Sequence, residues 1–480
     1  MSRVLAYAFA LTGLVTAAQA ADLGLDSLKD PLPDTLSWHG VTVYGTVDVG
    51  YAYQTNGRPL GNVVSDLEYI PFTTTRNYTG QSISTLTANA LEQSKIGVKV
   101  EEGIGYGWTA LGKLETGFNP MTGELSDGCS SFIQNAGVHY NQQTSNADSG
   151  RCGQAFNGPA YAGASNPGYG TLTVGRQNSL QLDAIGAYDP MGLSYAFSLL
   201  GYSGTNGGSG NTQAARWDDS VKYVYQYGPV HAAAMYSDGG NATGMFGSGY
   251  GFNVGGSYRG FSLDAVYTRE HGALGLQSSV NDPAGSQTLA ANISDNETWS
   301  IMGKYTYDLA GGFKDEAPGA KLTFFGGYTH IDQANPKDPV LSGFAAGGYP
   351  LTVSPDNDAF TTDRILQFFW TGAKYELPSG WSFTAAYYYV TQNSFVADHA
   401  PCTAGGASKS DCAGSFNQGS FLVDYQFNKH FDVYAGVTYA RVDDGLASGF
   451  PGTPGAKFGF AGTGTSVDTT DFVTGMRLKF

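Results

Sequence analysis

Charge is scarce in this sequence. Only 14% of its 480 residues are Asp, Glu, Lys or Arg, against roughly 25% in an average globular chain. The charge present leans acidic, with 25 Lys and Arg against 41 Asp and Glu, so no basic footprint for nucleic acid exists. Histidine is sparse as well: seven residues, at 39, 139, 231, 271, 330, 399 and 430. They form no H-E-x-x-H, and no G-x-S-x-G occurs, which removes the common metalloprotease and serine-hydrolase readings. The run Gly103-Ile104-Gly105-Tyr106-Gly107 precedes a strand pattern rather than a helix, so it reads as a tight turn and not a phosphate loop. Cysteine is limited to Cys129, Cys152, Cys402 and Cys412, without a C-x-x-C or a nearby His pair. Zinc is excluded on that spacing, and no metal or cofactor is expected. Long apolar runs are missing too: the longest, Val4 to Ala18, falls short of the roughly 20 residues of a spanning helix.

That short run sits between Arg3 and Ala18-Gln19-Ala20, the layout of a secretory signal peptide, so residues 1–20 are expected to be removed. The remaining chain carries 24 basic and 41 acidic residues, a net charge of −17. Export makes the four cysteines disulfide candidates. Three connectivities exist; the local pairs Cys129–Cys152 and Cys402–Cys412 are favoured because each closes a loop inside one connection. Residues 21–40, with Pro31 and Pro33, are set apart as an N-terminal periplasmic segment of unassigned role, and 41–480 as one domain.

What the chain has in abundance is glycine (68 residues) and aromatics (13%). Gly is costly inside helices, whereas Tyr, Phe, Val and Thr suit strands. From residue 41 the dominant signal is alternation. Val41, Val43, Val47 and Val49 face away from Thr42, Thr46 and Asp48. Trp299, Ile301, Tyr305 and Tyr307 oppose Ser300, Lys304, Thr306 and Asp308. Phe472, Met476, Leu478 and Phe480 oppose Asp471, Arg477 and Lys479. One register stays open: 364–376 has Leu366, Phe368 and Trp370 on one face and Ile365 and Phe369 on the other.

Sixteen such segments are expected: 41–53, 94–102, 107–118, 155–164, 170–177, 216–227, 229–238, 249–258, 261–271, 297–309, 320–332, 363–377, 380–392, 416–428, 430–441 and 466–480. Their connections alternate long and short, and each short turn has aromatics beside it, from Tyr106 and Trp108 to Phe427 and Phe431. Amphipathic rings collect at membrane interfaces. In lipid an unpaired backbone group costs several kcal/mol, so a spanning sheet must close on itself. The expected fold is therefore an all-β, transmembrane, antiparallel barrel of sixteen strands, with short periplasmic turns, long extracellular loops and inward positions small or polar around an aqueous lumen.

Several segments, in this order, make the chain resemble the general trimeric porins of Gram-negative outer membranes, especially the Burkholderia-type branch. They are Val43-Tyr44-Gly45-Thr46-Val47-Asp48-Val49-Gly50, Ser94-Lys95-Ile96-Gly97-Val98-Lys99, Leu114-Glu115-Thr116-Gly117-Phe118-Asn119, Gly170-Thr171-Leu172-Thr173-Val174-Gly175-Arg176-Gln177 and Gly475-Met476-Arg477-Leu478-Lys479-Phe480. The resemblance implies a homotrimer integral to the outer membrane, in contact with its lipid and lipopolysaccharide and not an enzyme. It implies that Phe480 is the signal read by the barrel assembly machinery. It also implies that the third long loop, 178–215, folds into the lumen as a constriction.

On that pattern Asp183 and Asp189 of the loop face a basic wall of Lys95, Arg176 and Arg216, while Asp48, Lys113 and Glu115 face the lumen elsewhere. A competing reading makes the two Asp ordinary loop carboxylates and Lys95 and Arg216 rim charges. The implied function is a water-filled channel for passive diffusion of ions and small hydrophilic solutes. Two alternatives stay open, a channel selective for a sugar or organic acid and an adhesive or structural outer-membrane protein. The net charge of −17 favours cations at the mouth, and three bases nearly balanced by two loop acids at the constriction leave that preference weak.

Overall fold

The computed structural model describes residues 35–57, 81–126, 154–202, 215–239, 247–278, 289–309, 319–339, 360–394, 413–444 and 467–480, with short pieces at 345–346, 349–350, 356–357 and 396–397. Residues 1–20, expected to be a signal peptide, most of the 21–40 segment and all four cysteines with their expected pairings lie outside the described residues.

Sixteen strands form one closed sheet, every neighbour antiparallel: β1 (Val41–Gly57), β2 (Lys95–Gly105), β3 (Trp108–Gly117), β4 (Ala160–Asn166), β5 (Gly170–Asn178), β6 (Arg216–Tyr227), β7 (Val230–Ser237), β8 (Gly249–Tyr258), β9 (Phe261–Ser278), β10 (Leu289–Asp308), β11 (Lys321–Ala334), β12 (Arg364–Glu376), β13 (Trp381–Gln392), β14 (Gly414–Gln426), β15 (Phe431–Asp444) and β16 (Val467–Lys479). The barrel closes where β1 meets β16, from Thr46 opposite Lys479 to Gln54 opposite Asp471. Phe480 finishes this seam: its N–H donates to Gly45 O (3.1 Å) and its O accepts from Gly45 N–H (2.9 Å). Tight hairpins join strands on one rim. At Arg259-Gly260 both residues have positive φ (48° and 85°), the geometry whose twist matches that of the paired strands.

Two strands not expected from the sequence serve the long β1. Leu36–Trp38 pairs with Val41–Val43. Gln81–Ala88 pairs with the half of β1 beyond Val49, while β2 pairs only with Val41–Thr46. The chain between these two partners, 89–94, turns inward and is held by Asp48, whose carboxylate accepts from the N–H groups of Leu91 (2.7 Å) and Glu92 (2.8 Å) and from Tyr434 Oη (2.6 Å).

Alternation sorts the two faces as expected. Leu172, Val174, Leu263, Ile301, Phe369, Phe421 and Phe472 stand exposed on the outside, part of an apolar band far larger than a water-soluble surface carries. The ring contacts Trp108–Tyr169, Trp381–Tyr425 and Phe427–Phe431 form a girdle beside the short turns.

The inner face departs from the expectation of small or polar residues. On β9 to β14 it carries Val266, Met302, Ile331, Leu366, Phe368, Trp370, Val390 and Phe416, all buried. This settles the open register of β12: Leu366, Phe368 and Trp370 point in, Phe369 out. The cause is the loop after β5. It packs Leu180, Ile185, Tyr188, Met191, Phe197 and Leu200 against that wall, forming a hydrophobic core within the barrel. The burial of apolar surface, at about 25 cal/mol per Å², holds the loop down.

Candidate functional site

The loop begins with a helix, α1 (Leu180–Tyr188). Ser179 caps it by accepting from Leu182 N–H, and Asp183 sits in its first turn, where a carboxylate meets the positive end of the helix. It stops because Pro190 disfavours helical backbone at Asp189, which is extended (φ −80°, ψ 122°).

The chain then runs around the inner wall, strand by strand. Ser300 Oγ on β10 donates to Gln181 Oε1 (2.8 Å), and Lys304 Nζ on the same strand donates to Ala187 O (2.8 Å). Tyr188 Oη donates to Asp264 on β9, and Trp370 Nε1 on β12 donates to Tyr188 O (3.0 Å). Farther on, Gln418 Nε2 on β14 reaches Phe197 O (3.1 Å) and Thr438 Oγ1 on β15 reaches Ala196 O (3.1 Å). Ala196 N–H donates to Ala90 O of the inward 89–94 turn (2.9 Å). The described part of the loop therefore lies on the lumen side, against the inner wall of β9 to β15.

On the wall formed by β2, β3 and β6 is a set of charges. Asp183 meets Lys222 on β6 at 2.7 Å and also accepts from Asn178 Nδ2. Lys113 lies 3.7 Å from Glu115 and 5.5 Å from the Tyr44 ring centre. Glu115, Lys95, Arg216 and Asp183 all act on Lys113 electrostatically, so these five charges share one region of the lumen. Lys95 pairs with Glu92 (2.7 Å), and Glu92 is shared with Arg477 (3.2 Å).

The residues expected at the constriction thus divide. Asp183, Lys95 and Arg216 come together here. Asp189 does not face the water-filled space: it is only 3% exposed and accepts from Tyr388 Oη (2.6 Å) and Leu193 N–H (2.7 Å), which makes it the pin between loop and wall. Arg176 has the outward parity of Leu172 and Val174. It donates to Gly158 O (3.1 Å) and Asn157 O (3.0 Å) and pairs with Asp218, bracing the rim. Of the other expected lumen residues, Lys113 is half-buried, whereas Glu115 and Asp48 point inward but are buried under their hydrogen-bond partners. Lys222 and Glu92 escaped the sequence reading, which put Arg477 on the polar face of its strand without assigning it to the site. The alternation of Val221 and Tyr223 against Ser220 and Lys222 carried the signal for the first.

A closed antiparallel barrel of sixteen strands with an apolar outside, an internal loop and a charged gap is a channel architecture. The model of the Gram-negative porin family matches residues 6–445. The chain belongs to that family. Among solved structures, this porin resembles the anion-selective porin from Comamonas acidovorans at 15% identity and a TM-score of 0.55, over 92% of this chain and 99% of that one. It also resembles in-vitro folded OmpT of Vibrio cholerae at 15% identity and 0.53, over 93% and 100%. The trimer form of that OmpT gives 15% and 0.50, over 92% and 99%. No curated protein matches the sequence. This porin is an integral outer-membrane protein, and its barrel is a channel for passive diffusion.

Proposed function

We propose that the gap between Asp183 on the loop and Lys95, Lys113, Arg216 and Lys222 on the wall is the constriction at which small hydrophilic solutes are sorted. Opposed charges across a narrow space of low dielectric set up a transverse field, which orients dipolar solutes and disfavours apolar ones. The observation that carries this reading is the Asp183–Lys222 pair at 2.7 Å, loop against wall.

With Asp189 withdrawn into the loop anchor, Lys95, Lys113, Arg216 and Lys222 meet Asp183, Glu92 and Glu115 at the gap, and behind Glu92 stands the Arg477–Asp432 pair, so five bases meet four acids in this set. The local balance leans basic although the whole chain is acidic. Charges at a partly desolvated gap outrank those screened within about 8 to 10 Å at physiological salt. The expected selectivity is therefore weak and tilted to anions, in place of the weak cation preference that the sequence implied. Reversal potentials in a KCl gradient test it. Lys222→Gln should shift the potential toward cations and Asp183→Asn toward anions; two null shifts would place the selectivity elsewhere.

The protein is further read as a homotrimer. Supporting this, Val98, Leu114, Ala160, Ala162, Ala164 and Val174 make an aliphatic outward patch across β2 to β5, with Arg176 at its edge opposite Ala160, the kind of face that lets membrane-embedded backbones approach closely. Phe480 keeps its proposed second role as a signal to the assembly machinery, and lipopolysaccharide its place as neighbour of the outer rim.

A further inference from the structure

The outer face of the barrel carries a groove that diffusion through the lumen does not use. The register places Gly256 of β8, Leu263 of β9, Gly303 of β10 and Gly326 of β11 in one outward row across four strands. Three of the four lack a side chain, so the surface sinks there. The next outward row toward the short-turn rim is Tyr258, Phe261, Tyr305 and Phe324 in the same register, a wall of rings. Phe261 and Tyr305 stack with centroids 4.2 Å apart, which makes the wall continuous. Between floor and wall lies a cleft of about 640 Å³, bounded by these residues.

The cleft opens sideways, where the medium is lipid. At its short-turn end Arg259 occupies the hairpin between two wall residues, Tyr258 and Phe261. Its guanidinium lies 5.2 Å from the Tyr258 ring centre, and it has no carboxylate partner among the described residues. An unpaired cation at girdle height beside a groove of acyl-chain shape is complementary to a phosphate standing above a hydrocarbon tail. A second copy of the chain fits less well, because a flat sheet face would bridge the notch and leave its lining without contacts.

We propose that this cleft is a binding site for one glycerophospholipid, with an acyl chain along the Gly256–Gly303–Gly326 floor and its phosphate on Arg259. The site lies across β8 to β11, away from the aliphatic face of β2 to β5, so occupancy is independent of trimer formation.

Native mass spectrometry of the intact protein, titrated with dioleoyl phosphatidylglycerol, tests the site. The wild type should retain one lipid per chain after the others are stripped. Gly326→Leu fills the floor; a Cβ there meets nothing nearer than Trp370 O at 3.8 Å, so the barrel accommodates it. Arg259→Asn removes the cation with a residue that tolerates positive φ. Each should weaken retention on the order of tenfold, the loss of about 1.4 kcal/mol, while the heat-modifiable migration of the folded barrel stays unchanged. Should Gly326→Leu fail to fold, Gly326→Ala carries the same expectation with a smaller loss. Unchanged retention in the groove variants overturns the proposal. So does displacement of the lipid by inorganic phosphate alone, which would show an anion contact without the acyl groove.

Discussion

Asp189 illustrates how one carboxylate is reassigned by its surroundings. Its acceptors take Tyr388 Oη and the Leu193 N–H, both inside the barrel. Asp189→Ala would strand those buried donors at about 1–3 kcal/mol apiece, so the variant should show a larger or noisier single-channel step. A step and noise equal to wild type would show that the apolar core alone holds the loop. Burial pushes this carboxyl above the usual Asp range, against hydrogen bonds from Ser198, Tyr388, Leu193 and Met191 that pull it down. The folded state therefore holds the proton more tightly than the unfolded chain. The penalty for the charge is present at neutral pH and fades as pH falls through the raised value. Mild acid should not loosen this pin, and open-channel noise should not rise on acidification through Asp189; a rise that Asp189→Ala abolishes would reverse the sign. The sequence shows an Asp in a loop and nothing of what roofs it, which is why Asp189 read as a pore charge. Arg176 differs: its parity with Leu172 and Val174 was legible, and the family pattern overrode it.

Strands were legible because lipid outside and a mostly polar lumen inside impose a period of two on each of them. The same logic fails where both sides are apolar. On β12 the outer face meets lipid and the inner face meets α1 and its continuation, so alternation offered no choice between Leu366 and Ile365. The helix itself announced its ends, Ser179 before it and Pro190 after it, within a stretch too short for a periodic pattern to register. Gln81–Ala88 was missed because it pairs with only half of β1. The element-scale prediction concerns β2 to β5. A bulky ring at Ala162, outward between Gly112 and Val174, should break the proposed trimer contact. For Ala162→Trp, unheated gels should show a folded single barrel where wild type runs as an oligomer, with conductance per barrel retained. An oligomer that survives the substitution would move the interface to another face.

At the scale of the whole molecule, closure is the event that turns a sheet into a channel, since an unclosed edge in lipid leaves backbone groups unpaired. The seam has little room. A Cβ at Gly45 would run into Phe480 Cζ and lie 2.8 Å from Lys95 O, so the terminal ring and the neighbouring strand both press on this glycine. Gly45→Ala should therefore lower the folded fraction in detergent refolding and the temperature at which the compact band is lost. Phe480→Ala frees the space the ring occupies but leaves Lys95 O in place, so the double variant should recover part of the loss and not all of it. If Gly45→Ala folds like wild type, the ring does not seal the seam, and Phe480 acts in assembly through recognition alone.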